Sequence, residues 1–156
     1  MYKLSLIIVA LALFTSCGKK EKIGDDFSKP SIEEGMPESA SYDPNRGEGK
    51  FTTVDLGATL DQTMATDGEK IANVKCTSCH KPTEEKLVGP GWKGVTSRNK
   101  PEWIMNFITN PDPMITKDPK LQAQLEICLV RMPNQGLNDV EARSVLEYLR
   151  KIDGAK

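Results

Sequence analysis

The chain has 156 residues, with 21 Lys or Arg against 22 Asp or Glu and a formal net charge of −1. This balance excludes the strongly basic character on which nucleic-acid binding usually depends. Hydrophobic residues make up 38 % of the chain, which is low for a fully packed protein. We therefore expect one packed domain joined to a segment that adds little to its core.

The first residues have the pattern of an export signal. Lys3 precedes an apolar run at 4–14, and small polar residues then lead to Cys17. A run of about a dozen apolar residues is too short to cross a bilayer and fits a secretory signal. The stretch "LFTSC" resembles the lipobox of bacterial lipoproteins, although Phe14 stands where that family prefers an aliphatic residue. The resemblance implies cleavage after Ser16 and lipidation of Cys17.

On this interpretation residues 1–16 are a signal peptide. Acyl chains on Cys17 would hold the mature protein on the periplasmic side of a bacterial membrane, without a transmembrane helix. Cleavage without lipidation and an uncleaved apolar anchor are the alternatives.

Residues 17–65 are rich in Gly, Pro, Ser and charged residues. Their few apolar residues have no regular spacing, and such a composition cannot bury enough surface to offset chain entropy. We expect a flexible, disordered polar tether here, followed by a domain at 66–156. Alternatively, residues 50–56, "KFTTVDL", form a short strand or pack on the domain.

From residue 66 the pattern becomes helical. Thr66 and Glu69 have the spacing of a capping box, which predicts a first helix running toward the cysteine pair. Pro101 suits the first turn of a second helix, which Asn110 and Pro111 would end.

Two more helices complete the predicted domain. Asp118 is the expected cap of the third, and Asn138 with Glu141 of the fourth. The fourth helix has a continuous apolar stripe, and no segment of the domain alternates like a strand. The sequence therefore predicts an all-α domain of about four helices. The residues of that stripe are Ala142, Val145, Leu146, Leu149 and Ile152.

The stretch "CTSCH" contains Cys76, Cys79 and His80, the only histidine in the chain. Its spacing matches the attachment pattern of a c-type haem. Two thiols separated by two residues can add to both vinyl groups along one porphyrin edge. The adjacent histidine can then give a nitrogen to the iron. We expect one covalently bound haem c at the centre of the helices.

Three other interpretations of the cysteine pair are weaker. A thioredoxin-like redox pair needs a βαβ context that the sequence lacks. A structural zinc site needs four ligands, and Cys76, Cys79, His80 and Cys128 are the candidates, but the adjacency of Cys79 and His80 makes simultaneous tetrahedral ligation awkward. A disulfide between Cys76 and Cys79 would leave the position of His80 unexplained.

The segment from 66 to 154 resembles class I cytochrome c. In that family a helix leads into the attachment motif, and a Gly-Pro loop follows it. The resemblance implies that the carbonyl of Pro90, in "KLVGPGWKGV", accepts the N–H of His80. It also implies a crossing of the first and last helices, with Gly68 against Tyr148.

A methionine before the last helix is the family's second iron ligand, and the resemblance assigns this role to Met132, which stands before Pro133. Met114, in a proline-rich loop, is the alternative. Met105 lies within a predicted helix and is more typical of a packing residue.

Three further residues are candidates for the surroundings of the haem. Trp92 and Trp103 are expected to pack on it, and one of them could donate to a haem propionate. Cys128 is expected to be a buried thiol on an apolar helix face, with an intermolecular or redox role as the alternative.

Residues 75–100 carry six basic and two acidic residues. Lys81, Lys86 and Lys93 are candidates for a patch that steers an acidic redox partner. A merely solvated loop is the alternative.

The resemblance implies a membrane-tethered monohaem electron carrier, not an enzyme. A quinol-oxidising complex would be its donor, and a terminal oxidase or nitrous oxide reductase its acceptor. Two ligands on the iron would leave no open site for a substrate. The alternatives are a peroxidase-like haem enzyme with an open or labile distal site, and a metal-free or zinc-bound interaction module.

Overall fold

The computed structural model describes residues 42–156, so the predicted signal peptide, Cys17 and the first part of the predicted tether lie outside the described residues. Within 42–156 the chain forms helices and no strand, apart from one isolated bridge between His80 and Lys86. The predicted all-α fold is confirmed. The helices are α1 (Gln62–Lys75), α2 (Val95–Arg98), α3 (Pro101–Thr109), α4 (Pro111–Lys117), α5 (Pro119–Cys128) and α6 (Asp139–Ile152).

Helix α1 begins before the predicted start. Its cap is Asp61, whose carboxylate accepts the N–H of Met64 at 2.9 Å. Thr66, the expected cap, instead lies inside the helix and donates its hydroxyl to the Gln62 carbonyl at 2.8 Å. Asp61 and Thr66 are both suitable N-cap residues, and the local sequence does not show which of them begins the helix. Residue 66, the predicted start of the domain, therefore lies inside α1.

Two short helices occupy segments that were expected to be loops. In α4, Pro111 is the first helical residue and Pro113 the third. The first four N–H groups of a helix have no partner within it, so neither proline removes a hydrogen bond. Helix α2 is a single turn that follows Gly94, whose φ is 80°. The other predicted helices are present, and the capping box of Asn138 and Glu141 is formed.

Residues 42–60, which we call the N-terminal segment, pack on the helices where a tether was expected. The buried Asn106 of α3 accepts the N–H of Phe51 at 2.9 Å and donates to the Phe51 and Arg46 carbonyls. These contacts use the segment's backbone, which composition does not reveal. The alternative that residues 50–56 pack on the domain is thus correct, although no strand forms there.

A buried ion-pair cluster on α6 holds a second part of the same segment. The fully buried carboxylate of Glu147 lies 2.5 Å from Arg143 and 2.7 Å from Arg150. The same two guanidinium groups donate to the carbonyls of Asp55 and Gly57. The N-terminal segment is therefore held at two separate places by side chains of the helical domain.

The crossing of α1 and α6 at Gly68 is the tightest helix contact. A Cβ at Gly68 would lie 1.9 Å from the Ser144 carbonyl oxygen and 2.9 Å from the Val145 nitrogen. Only a residue without a side chain allows this approach. The predicted crossing is confirmed, but Gly68 meets the backbone of Ser144 where the ring of Tyr148 was expected. Tyr148 contacts Trp92 edge-on, with ring centroids 6.3 Å apart.

Replacing Gly68 with Ala is expected to destabilise the domain. The added methyl gains about 0.5–1 kcal/mol of helix propensity but overpacks a contact at a cost of about 1–3 kcal/mol. The clash is with backbone atoms, which cannot rotate away, so we expect a net loss of about 1–2 kcal/mol in the free energy of unfolding. Urea unfolding of the haem-loaded protein measures it. Gly57→Ala is the control, because its Cβ would meet only Thr59 at 3.4 Å. Equal stability of the two variants would contradict the crossing.

Candidate haem site

The cysteine pair and the histidine lie in a tight turn directly after α1. The N–H groups of Cys79 and His80 both donate to the Cys76 carbonyl at 3.0 Å. This turn places both sulfur-bearing residues and the imidazole on the wall of one cavity. Both thiols are half-buried and neither forms a disulfide. Burial raises the pKa of the Cys76 thiol.

The cavity has a volume of about 590 Å³, within the roughly 300–1,000 Å³ range of cofactor pockets. Helix α5 forms part of its wall and has no buried residue of its own. Its apolar face, made by Leu121, Leu125 and Cys128, lines the cavity. A large apolar group in the cavity would cover this face. The residues present therefore fit a haem attached at the turn.

His80 is held in one orientation by two neighbours, Pro90 and Trp92. Its Nδ1 lies 2.8 Å from the Pro90 carbonyl oxygen, so Nδ1 carries the proton and Nε2 keeps its lone pair. Trp92 stacks on the imidazole at 5.4 Å with an interplanar angle of 17°. Burial lowers the pKa of His80 although the Pro90 hydrogen bond opposes it, which favours the neutral ring. The predicted contact between Pro90 and His80 is confirmed.

The Gly-Pro loop approaches the histidine unusually closely. A Cβ at Gly89 would lie 2.4 Å from Cε1 of His80, so a side chain there would displace the ring. The backbone N–H of Gly89 donates to the Cys79 carbonyl at 2.8 Å, and that of Trp92 to the Lys81 carbonyl at 2.9 Å. The loop and the attachment turn are thereby joined into one unit around the imidazole.

Of the three methionines after His80, Met132 alone lines the cavity. It is half-exposed and belongs to the irregular segment between α5 and α6. Met105 and Met114 are 2 % and 0 % exposed and contribute nothing to the cavity wall. Met114 packs beneath the N-terminal segment, where a Cβ at Gly47 would lie 2.4 Å from its methyl carbon. This placement argues against Met114 as an iron ligand.

Both tryptophans, which the sequence predicts to pack on the haem, line the cavity. The Nε1–H of Trp103 donates to Asp118 at 3.1 Å, so this indole has a protein partner and not a haem propionate. Cys128 is only half-buried, and its sulfur accepts from the Gln124 amide at 3.3 Å. Asp118, which the sequence indicated only as a helix cap, was not expected at the site.

The three candidate lysines do not behave alike. The ammonium group of Lys86 donates to the Ile127 carbonyl at 2.9 Å, and the backbone of Lys86 forms the isolated β-bridge with His80. Lys81 pairs with Glu85 at 2.6 Å, which offsets its charge. The ammonium group of Lys93 turns away to the Ile152 carbonyl at the end of α6. The expected patch therefore reduces to Lys86 and a partly neutralised Lys81.

Among residues 42–156, no three His, Cys, Asp or Glu side chains converge in a group that could hold a metal ion. In the same part of the chain, no helix is long and apolar enough to cross a membrane.

Comparison with known proteins agrees with the site. The family model of cytochrome c matches residues 65–153. Cytochrome c from Rhodothermus marinus is 35 % identical with a TM-score of 0.65, and the match covers 67 % of this chain and 90 % of that one. An engineered cytochrome c from the same organism is 34 % identical with a TM-score of 0.64 and the same coverage. A further engineered form, bound to a carbene intermediate, is 34 % identical with a TM-score of 0.61, again covering 67 % and 90 %.

No curated protein matches the chain. The family match spans more than half of the sequence, and the cavity and motif described above lie within it. The chain therefore belongs to the cytochrome c family, as a class I monohaem member with one covalently bound haem c.

Proposed function

We propose that this protein is a membrane-tethered carrier of single electrons between respiratory complexes. Cys76 and Cys79 attach its haem, and His80 and Met132 bind the iron. A quinol-oxidising complex supplies the electron, and a terminal oxidase or nitrous oxide reductase accepts it. The cytochrome c family supports the role of haem electron carrier.

The observation that carries this proposal is the shared cavity of His80 and Met132. His80 comes from the turn after α1 and Met132 from the segment before α6, yet both residues line the same cavity. When bound, the haem supplies an iron that gains and loses one electron. Two protein ligands on that iron leave no position for a substrate. The hydrogen bond to Pro90 keeps the Nε2 lone pair of His80 available for the iron.

Replacing Met132 with Leu tests this ligand assignment. The change removes sulfur but keeps volume, so we expect the haem to stay attached while the methionine–iron charge-transfer absorption disappears. The reduction potential should fall by part of the roughly 0.8 V range that axial ligands set. Absorption spectra and redox titration measure both effects. Met114→Leu is the matched control and should retain the band. A retained band in Met132→Leu, with loss in Met114→Leu, would reverse the assignment.

A haem enzyme with a labile distal ligand is the second candidate. Met132 belongs to a segment without regular secondary structure, so few backbone hydrogen bonds hold it. In addition, one engineered Rhodothermus marinus cytochrome c binds a carbene intermediate. Absorption spectra of the wild-type protein with added cyanide or carbon monoxide distinguish the two functions. A carrier leaves cyanide and carbon monoxide unbound, whereas rapid spectral change with either ligand favours the enzyme.

We propose that Lys86, aided by Lys81, attracts an acidic partner to this side of the domain. Lys81 follows His80 in the chain, and Lys86 is paired with His80 by the isolated β-bridge. Among residues 42–156, Lys86 forms no ion pair, so its charge is not offset. Charges on an exposed surface raise association rates over about one Debye length, near 8–10 Å at moderate salt.

Reversing the charge of Lys86 is expected to slow reaction with an anionic oxidant. Ferricyanide is a suitable probe, and stopped-flow oxidation of reduced Lys86→Glu should be a few-fold slower at low salt, at the low end of the roughly 10–10³ range of steering. The deficit should shrink as salt rises. Lys93→Glu is the matched control and should show a smaller effect. Rates independent of ionic strength in all three proteins would contradict steering.

The proposed anchor is lipidated Cys17, supported by the apolar run that ends in "TSC". One acyl chain binds membranes only marginally, so stable attachment needs more than one chain. We expect Cys17→Ser to keep haem attachment but to appear in the soluble periplasmic fraction or as unprocessed precursor. Fractionation with detergent extraction measures this. A mature-sized Cys17→Ser protein that stays wholly in the membrane fraction would speak against the anchor.

A further inference from the structure

Asp118 is a buried carboxylate behind the wall of the haem cavity, with 0 % of its surface exposed. One oxygen accepts the hydroxyl of Tyr42 at 2.5 Å and the indole N–H of Trp103 at 3.1 Å. The other accepts the backbone N–H of Lys120 at 2.8 Å, which makes Asp118 the cap of α5. Three donors and the N-terminus of α5 are thus directed at this one carboxylate.

The charge of Asp118 has no cationic partner in the described part of the chain. None of the ion pairs formed by residues 42–156 includes it. Glu147, the other fully buried acidic residue of the range 42–156, has two arginines beside it. Burial, together with the Asp118 carboxylate, raises the pKa of Tyr42, so that its phenol remains a donor. The negative charge of Asp118 is therefore held by hydrogen bonds and is not cancelled.

Trp103 connects this charge to the haem site. Its indole N–H contacts the Asp118 carboxylate, and the residue lines the cavity together with Lys120 and Leu121 at the start of α5. Two charges inside a protein interact more strongly than in water, because the interior has a low effective dielectric constant and solvent screens buried charges little. A buried charge one residue behind the cavity wall acts on whatever charge the cavity holds.

We propose that Asp118 is a positioning residue that orients Trp103 and, through its fixed negative charge, lowers the reduction potential of the haem. The proposal rests on the electron-carrier function. Oxidised iron has one more positive charge than reduced iron, so a nearby negative charge stabilises the oxidised form. Removing the charge should raise the potential. Tyr42, in the N-terminal segment, then has a functional role as well, because the hydrogen bond from its hydroxyl weakens the effect of the Asp118 charge on the haem without cancelling that charge.

Redox titration of the haem-loaded full chain tests the proposal with three variants. Asp118→Asn removes the buried charge and should raise the midpoint potential. Asp55→Asn removes a charge from an exposed carboxylate and is the matched control, with a smaller shift expected. Tyr42→Phe keeps the charge but removes a donor, so its potential should fall. If the substitutions merely loosened the site, the midpoint potentials of Asp118→Asn and Tyr42→Phe would shift in the same direction. If the charge of Asp118 sets the potential, the two variants shift it in opposite directions.

The spectrum of each variant confirms that the methionine–iron band is retained before potentials are compared. A rise in Asp118→Asn no larger than in Asp55→Asn, or a rise in both Asp118→Asn and Tyr42→Phe, overturns the proposal. If Asp118→Asn fails to retain haem, the midpoint potential of Tyr42→Phe is the deciding measurement. A lower potential than in the wild type supports the proposal, and a higher or unchanged potential overturns it. Absence of a reversible one-electron couple in the wild type would instead contradict the electron-carrier function.

Discussion

The hydrogen bond between His80 and the Pro90 carbonyl is the constraint around which the site is arranged. It fixes which imidazole nitrogen keeps a lone pair, and it needs the Gly-Pro loop within contact distance of the ring. That approach requires Gly89 to lack a side chain, and Trp92 then stacks on the ring's face. Because the loop is also bonded to the backbone of the attachment turn, a shift of either segment would misalign the histidine.

The remaining structure divides into a frame and an incomplete core. The crossing at Gly68 brings α1 and α6 into direct backbone contact, and these two helices form the frame. Helix α5 differs, since Leu121, Leu125 and Cys128 line the cavity and the helix has no buried residue. Burying a large apolar group against that face should contribute to folding as well as to electron transfer. The haem is thus expected to complete the hydrophobic core of the domain.

Local signals predicted the parts of the fold that depend on local chemistry. The attachment motif, the capping box of Asn138 and the proline at the start of α3 all act through neighbouring residues. The N-terminal segment was missed because Asn106 holds its backbone, and any sequence can offer carbonyls and N–H groups. Asp118 looked like an ordinary cap, since its contacts with Tyr42 and Trp103 join residues far apart in the chain.

The docking of the N-terminal segment sets how far the domain can travel from its proposed anchor. An extended chain spans at most about 3.3–3.6 Å per residue. With residues 42–60 fixed to the helices, about 25 residues separate Cys17 from Tyr42, and they reach at most roughly 80–90 Å. A tether running to residue 66 would reach roughly twice as far. A lipid at Cys17 would therefore keep the haem within that distance of the bilayer, and any site that exchanges electrons with it would have to lie inside the same layer.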